Sequence, residues 1–239
     1  MPFGRQLAAL ATRLVPDGKS KEEISMLDER LFVTPPIALE RAHGVLLEMT
    51  DVSINAMQDA VGLLERYDEK IGESIAAAEQ KADRYEDKLG TYLVKLTSHP
   101  MGEQDSRELT KYLHMIGDLE RISDHAVNLV EAAQELREKN LSFAGDAERE
   151  LNIMIQAVQE IMHNTRQVLF EDDLRLAGTI EPLEQVIDQL NKQIRSRHIE
   201  RLTRGECTTE MGFILSDILT DLERVSDHCS NLAVAMIEI

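Results

Sequence analysis

The chain has 239 residues, of which 29% are charged and 43% hydrophobic, and its formal charge at pH 7 is −18. That length allows two compact units, each with its own core, and the composition excludes a disordered chain. So acidic a surface repels phosphate backbones and anionic lipid, which excludes nucleic acid as a partner of the whole surface.

Aromatic residues make up only 4% and Trp is missing, so helices packed on helices are expected rather than sheets. Cys207 and Cys229 are the two cysteines, without a CxxC pair or a disulfide framework. A reducing, cytoplasmic setting is the expectation. No apolar run approaches the ~20 residues that cross a bilayer.

The opening "MPFGRQLAALATRLVPDGKS" holds a short amphipathic stretch interrupted by Arg5 and Arg13. It is too brief and too charged for a signal peptide, and a short helix docked on the body is expected, with a membrane-surface anchor as the alternative. Thr34 is a candidate cap and Pro35 or Pro36 suits a first turn, so the first long helix is predicted from there to about Asp68. Apolar residues then recur at three- and four-residue spacing, as in Ile37, Val45, Leu46 and Met49. A second helix is predicted from about Glu69 to Leu96, ending at "TSHPMGEQDS", and a third from about Arg107 to Glu138. After "KNLSFAGD" three more follow, near 144–170, 173–203 and 208–238, with "LTRGECTT" as the last hairpin loop. Pro182 is expected to kink or begin the fifth. The expected fold class is all-α, two tandem three-helix bundles over residues 34–140 and 141–239.

A repeated phrase supports the duplication. "DLERISDHAVNL" begins at Asp118 and "DLERVSDHCSNL" at Asp221, 103 residues later, and nine of the twelve letters agree. In the first copy Glu120, Asp124 and Asn128 are four apart and share one helix face, while Ile116, Leu119, Ile122, Ala126 and Leu129 form the core stripe. The second copy repeats the polar face with Glu223, Asp227 and Asn231. Two acids at that spacing repel, costing a few tenths of a kcal/mol in an isolated helix.

A second pair of Glu-x-x-x-Asp sequences, Glu79 with Asp83 and Glu184 with Asp188, lies on the second and fifth helices. Asp83 lies 18 residues before Met101 and Glu120 lies 19 after it; Asp188 lies 17 before Gly205 and Glu223 lies 18 after it. Antiparallel neighbours place residues equidistant from their loop at one height. Glu79, Asp83, Glu120 and Asp124 should therefore lie level on adjacent helices, and Glu184, Asp188, Glu223 and Asp227 likewise. Four gathered carboxylates stay ionised only around positive charge. A hard cation such as Mg, Ca, Mn or iron answers this. The plainer account leaves the acids facing water, with Arg121 and Arg224 serving Asp118 and Asp221 three residues away.

These phrases resemble the signature of the PhoU family of phosphate-uptake regulators, and the resemblance runs from about Ile37 to the end. It implies two tandem three-helix bundles, each carrying an (E/D)xxxD motif. The implied metal ligands are Glu79, Asp83, Glu120 and Asp124, with Glu184, Asp188, Glu223 and Asp227. The implied metals are iron or zinc, with manganese or magnesium as alternatives. The implied role is restraint of phosphate uptake and signalling, by contact with a membrane phosphate transporter or a sensor kinase at the inner face of the membrane; a homo-oligomer is also allowed. The segment before Thr34 resembles the link between the membrane part of bacterial sodium/phosphate cotransporters and their cytoplasmic PhoU-like tail, so residues 1–33 are expected to be a connecting segment.

Other residues bear on the site. Pro182, two residues before Glu184, threatens the second face. His125 and His228 follow the motif aspartates about 100° around the helix, and either join the site or form ordinary hydrogen bonds. Asn128 and Asn231 offer a carbonyl oxygen or satisfy a neighbouring helix. Two other function classes compete with a metal-loaded regulator. One is a metal-free adaptor docking a transporter or kinase. The other is a carboxylate di-iron oxidase, which needs paired Glu-x-x-His sequences, whereas Glu160 and His163 stand without a partner in the first half. No phosphate-binding loop or nucleophile elbow occurs, so an enzyme is not expected.

Overall fold

Apolar residues recurring every three or four positions give each long helix one buried stripe, and the breaks between stripes set where the helices end. The computed structural model describes residues 27–238, and the expected N-terminal helix and most of the connecting segment lie outside them. A short 3-10 turn, Glu29–Val33, begins at Asp28, whose side chain accepts from the Arg30 amide. Its buried Phe32 packs on Tyr92, ring centroids 4.8 Å apart, and ties the turn to the second helix.

The long helices are α1 (Pro35–Leu63), α2 (Glu69–Leu96) and α3 (Glu103–Glu138), then α4 (Asp146–Glu171), a single turn α5 (Leu174–Ala177), α6 (Ile180–Thr203) and α7 (Thr209–Glu238). Thr34 precedes α1 with Pro in its first positions, although the Thr34 hydroxyl makes no capping bond. α1 stops at Leu63, short of the expected Asp68, because Asp68 is extended and its side chain caps α2 through the Lys70 amide at 2.9 Å. α3 starts at Glu103 rather than Arg107: Glu103 and Asp105 favour a helix start, and the Asp105 carboxylate accepts from the Gly102 amide.

The expected fifth helix is divided. Asp173 caps the single turn α5 through the Arg175 and Leu176 amides, and Gly178 and Thr179 separate it from α6. Pro182 then occupies the first turn of α6, where its missing N–H costs nothing, so it begins the helix rather than interrupting it. Gly205, at φ 69°, turns the chain from α6 into α7 in a conformation that side chains resist.

α1, α2 and α3 pack on one another; so do α4, α6 and α7, and the two groups join where α3 lies along α7 and α1 touches α4. The duplicated phrases supply matching core residues: Leu119, Ile122, Ala126 and Leu129 on α3, and Leu222, Val225, Cys229 and Leu232 on α7, all fully buried. Ser123 and Ser226 sit among them, and each hydroxyl bonds back to the carbonyl of Glu120 or Glu223 at 2.7 Å, which satisfies it in the core. The fold is all-α with two repeats, and no helix among the described residues is long and apolar enough to cross a membrane.

Burial pushes the Cys229 thiol up to about 12, whereas Cys207 is half-buried. Thiolate is the reactive form. A thiol-specific chromogenic disulfide should therefore titrate one thiol in the native protein and two after denaturation; two fast-reacting native thiols would contradict this packing.

Candidate functional site

On α2 and α3, Glu79, Glu120 and Asp124 of the first acidic quartet come together across the hairpin, while Asp83 adjoins Glu79 on α2 and Glu86 is the α2 acid beside Glu120. Burial, then the charges of Asp124 and Asp83, push the Glu79 carboxyl above its ordinary value. Burial, then Asp124, do the same to Glu120, whose carboxyl also shares a side-chain hydrogen bond with Asp124. Glu79 on α2 thus faces Asp124 on α3, and Asp124 faces Glu120. Arg84 and Arg121 moderate these fields, with Arg121 Nε 3.5 Å from Glu120. Glu79, Arg121, Asp124 and His125 line a shallow cleft of about 370 Å³.

The second quartet meets on α6 and α7. Burial, then Asp227 and Asp188, raise the Glu184 carboxyl, with Glu181 and Glu223 adding to the field. Pro182 therefore does not displace Glu184 from the face. The charge balance differs from the first face. Lys192 Nζ lies 2.5 Å from Asp188, with Glu184 and Glu223 also holding it as an ammonium. Asn191 donates to Glu223 Oε2 at 2.5 Å, and Arg224 reaches Asp227 at 3.2 Å.

Residues 105 apart correspond on α2 and α6, so Glu86 matches Asn191 and Asp87 matches Lys192. Glu86 adds a like charge beside Glu120. Where the second face has the Asn191 amide, the first has the Glu86 carboxylate. Glu86, Asn191 and Lys192 were not among the expected site residues; aligning the two motif helices by their Glu-x-x-x-Asp pairs is the signal that finds them.

The donor set of each face is carboxylate oxygen, which suits a hard or borderline cation, and the raised Glu79, Glu120 and Glu184 carboxyls reflect burial first and then the like-charge repulsion that such a cation relieves. Among the described residues, no three His, Cys, Asp or Glu side chains stand close enough to hold a metal ion as they are placed. Loading would require these carboxylates, half-buried apart from the exposed Asp83, to converge by rotamer changes.

The other polar residues of the duplicated phrase reach across the α3–α7 seam, with His125 and Asn128 still bordering the first cleft. His125 Nδ1 lies 2.8 Å from Asp221 Oδ1, which also accepts from Asn128 Nδ2 at 3.0 Å. The reciprocal set is His228 Nδ1 at 2.8 Å and Asn231 Nδ2 at 3.1 Å from Asp118 Oδ1. Asp118 and Asp221 are thus served across the α3–α7 seam by the opposite repeat, and not by Arg121 and Arg224, which turn to the acidic faces. Each phrase serves three ends: leucines for the core, Glu and Asp for the face, and Asp, His and Asn for the seam. The lone pair Glu160 and His163 is exposed on α4.

The chain is 27% identical over 216 residues to the "Phosphate-specific transport system accessory protein PhoU homolog 1" of Thermotoga maritima, spanning 90% of each protein. It is 19% identical to the "Putative inorganic phosphate export protein YjbB" of Escherichia coli O157:H7, over the whole of this chain and 45% of that protein. Its fold is similar to the crystal structure of PhoU from Pseudomonas aeruginosa, with a TM-score of 0.77 and 20% identity over 83% of this chain and 95% of that one. The family model for the PhoU domain matches twice, over residues 46–133 and 151–236, and with both repeats covered the chain belongs to the PhoU domain family.

Proposed function

We propose that the chain is a PhoU-type regulator of phosphate transport that holds metal ions on its two carboxylate faces and acts on a membrane phosphate transporter from the cytoplasmic side. The observation carrying this reading is the duplicated placement of Glu79, Asp83, Glu120 and Asp124 on one hairpin and Glu184, Asp188, Glu223 and Asp227 on the other. The regulatory part draws on the relatives' names, one a phosphate-specific transport accessory protein and one a putative phosphate exporter roughly twice as long as its matched part. Bound iron or zinc would offset the carboxylate charge gathered on these faces, with manganese or magnesium as weaker alternatives. The reading involves no catalytic step.

The faces are expected to differ. Lys192 already supplies the second with a cation, whereas Glu86 adds another acid to the first, so the first should take an ion more tightly. Expressing Glu120→Ala with Asp124→Ala in cells lacking the wild-type protein tests the role. Phosphate uptake should lose its restraint in phosphate-rich medium. Unchanged control of uptake, with the variant folded and present at wild-type level, would count against regulation through this face.

A further inference from the structure

The seam between the repeats carries a feature that the acidic faces do not use. His125 and His228, one from each repeat, bring their ring centroids to 5.7 Å with planes 31° apart. Each Nδ1 is held at 2.8 Å by an aspartate of the opposite repeat. A carboxylate only accepts, so Nδ1 must carry the proton; in the neutral ring Nε2 then keeps its lone pair. Neither Nε2 has a hydrogen-bond partner among the described residues, and neither is a sealed buried atom. The side chains are 17% and 18% exposed, open enough for an ion to enter.

The backbone aims these rings at each other. Helical side chains lean toward their own N-terminus. α3 and α7 are antiparallel at the seam, since Asp118 meets His228 and His125 meets Asp221. Both rings therefore lean toward the local two-fold axis relating the repeats. Metal-binding histidines characteristically donate the other ring N–H to a carboxylate, which fixes the tautomer and raises ligand basicity. Two imidazoles on one tetrahedral ion, with metal–nitrogen bonds of about 2.0–2.1 Å, place their ring centres roughly 5–6 Å apart.

We propose that His125 and His228 form an imidazole site for a zinc-class divalent ion, distinct in its ligands from both carboxylate faces although His125 borders the first. Nε2 of each ring is the ligand atom, water fills the remaining positions, and Asp221 and Asp118 are positioning residues that act through the rings. The bound ion joins the two repeats across the seam. This site stands or falls independently of the carboxylate faces, because its ligands are nitrogens.

Copper(II) is the probe, since imidazole sites bind it more strongly than zinc and its paramagnetic resonance spectrum counts nitrogen ligands. With one equivalent of copper, the wild-type chain should show coupling to two imidazole nitrogens, displaced by excess zinc. His125→Gln or His228→Gln should abolish the two-nitrogen signal, while Glu120→Ala with Asp124→Ala should leave it intact. Asp221→Asn should weaken binding by about 10- to 100-fold. An all-oxygen wild-type spectrum would overturn the proposal, as would a two-nitrogen signal that survives both histidine changes. Should the variants fail to fold, the wild-type spectrum and its displacement by zinc decide alone.

Discussion

Asp221→Ala is expected to lower stability by about 1.5–3 kcal/mol, the usual worth of hydrogen bonds to a charged group. Asp221 is only 7% exposed, and its Oδ1 serves both His125 and Asn128. Alanine leaves the His125 N–H facing a shielded seam without an acceptor, whereas the exposed Asn128 amide turns to water. For a chain of this size each kcal/mol moves the melting temperature by about 2–4 °C, so a fall of roughly 3–12 °C should appear in thermal unfolding. Asp118→Ala should cost less, because the Asp118 side chain is 18% exposed against 11% for Asp221. A double-mutant cycle with His125→Ala checks the cause, since the two losses should be clearly less than additive. Additive losses would mean that the contact contributes nothing to joining the repeats.

The second large effect concerns the metal. Adding zinc or iron to the metal-free chain at about one hundred times its dissociation constant should stabilise it by about 2.7 kcal/mol per site. That corresponds to a rise in melting temperature of roughly 5–11 °C. Glu79→Gln with Glu120→Gln should act in two directions. Removing like charges should slightly stabilise the metal-free chain, by a few tenths of a kcal/mol per relieved pair. The same change should remove most of the metal-induced gain. Glu184→Gln with Glu223→Gln should remove less of it, because Lys192 already lies against that face. Equal losses from both faces would show that the lysine does not discriminate between them.

The helices and acidic faces were legible because they depend on local rules. Period and breaks predict the long helices, and equal distance from a loop predicts that Glu79 meets Asp124 and that Glu184 meets Asp227. The misplaced ends also have local causes: Asp68 caps the following helix, and Gly178 with Thr179 separates α5 from α6. The seam was not legible. Arg121 sits three residues from Asp118, which makes it a sufficient partner in an isolated helix. Packing α3 along α7 half-buries Asp118 and buries Asp221, replacing that contact by histidine and asparagine from the other repeat. Which helix faces meet is decided by both repeats together. The clue in the sequence was that Asp118, His125 and Asn128 recur at matching positions as Asp221, His228 and Asn231.

The most direct measurement is an anomalous-scattering map from crystals of the chain loaded with iron or zinc, recorded at the metal's absorption edge. Peaks are expected among Glu79, Asp83, Glu120 and Asp124, with weaker or fewer peaks among Glu184, Asp188, Glu223 and Asp227. A map without density at either face after loading, in crystals whose α2–α3 and α6–α7 hairpins are intact, would contradict metal binding by these faces.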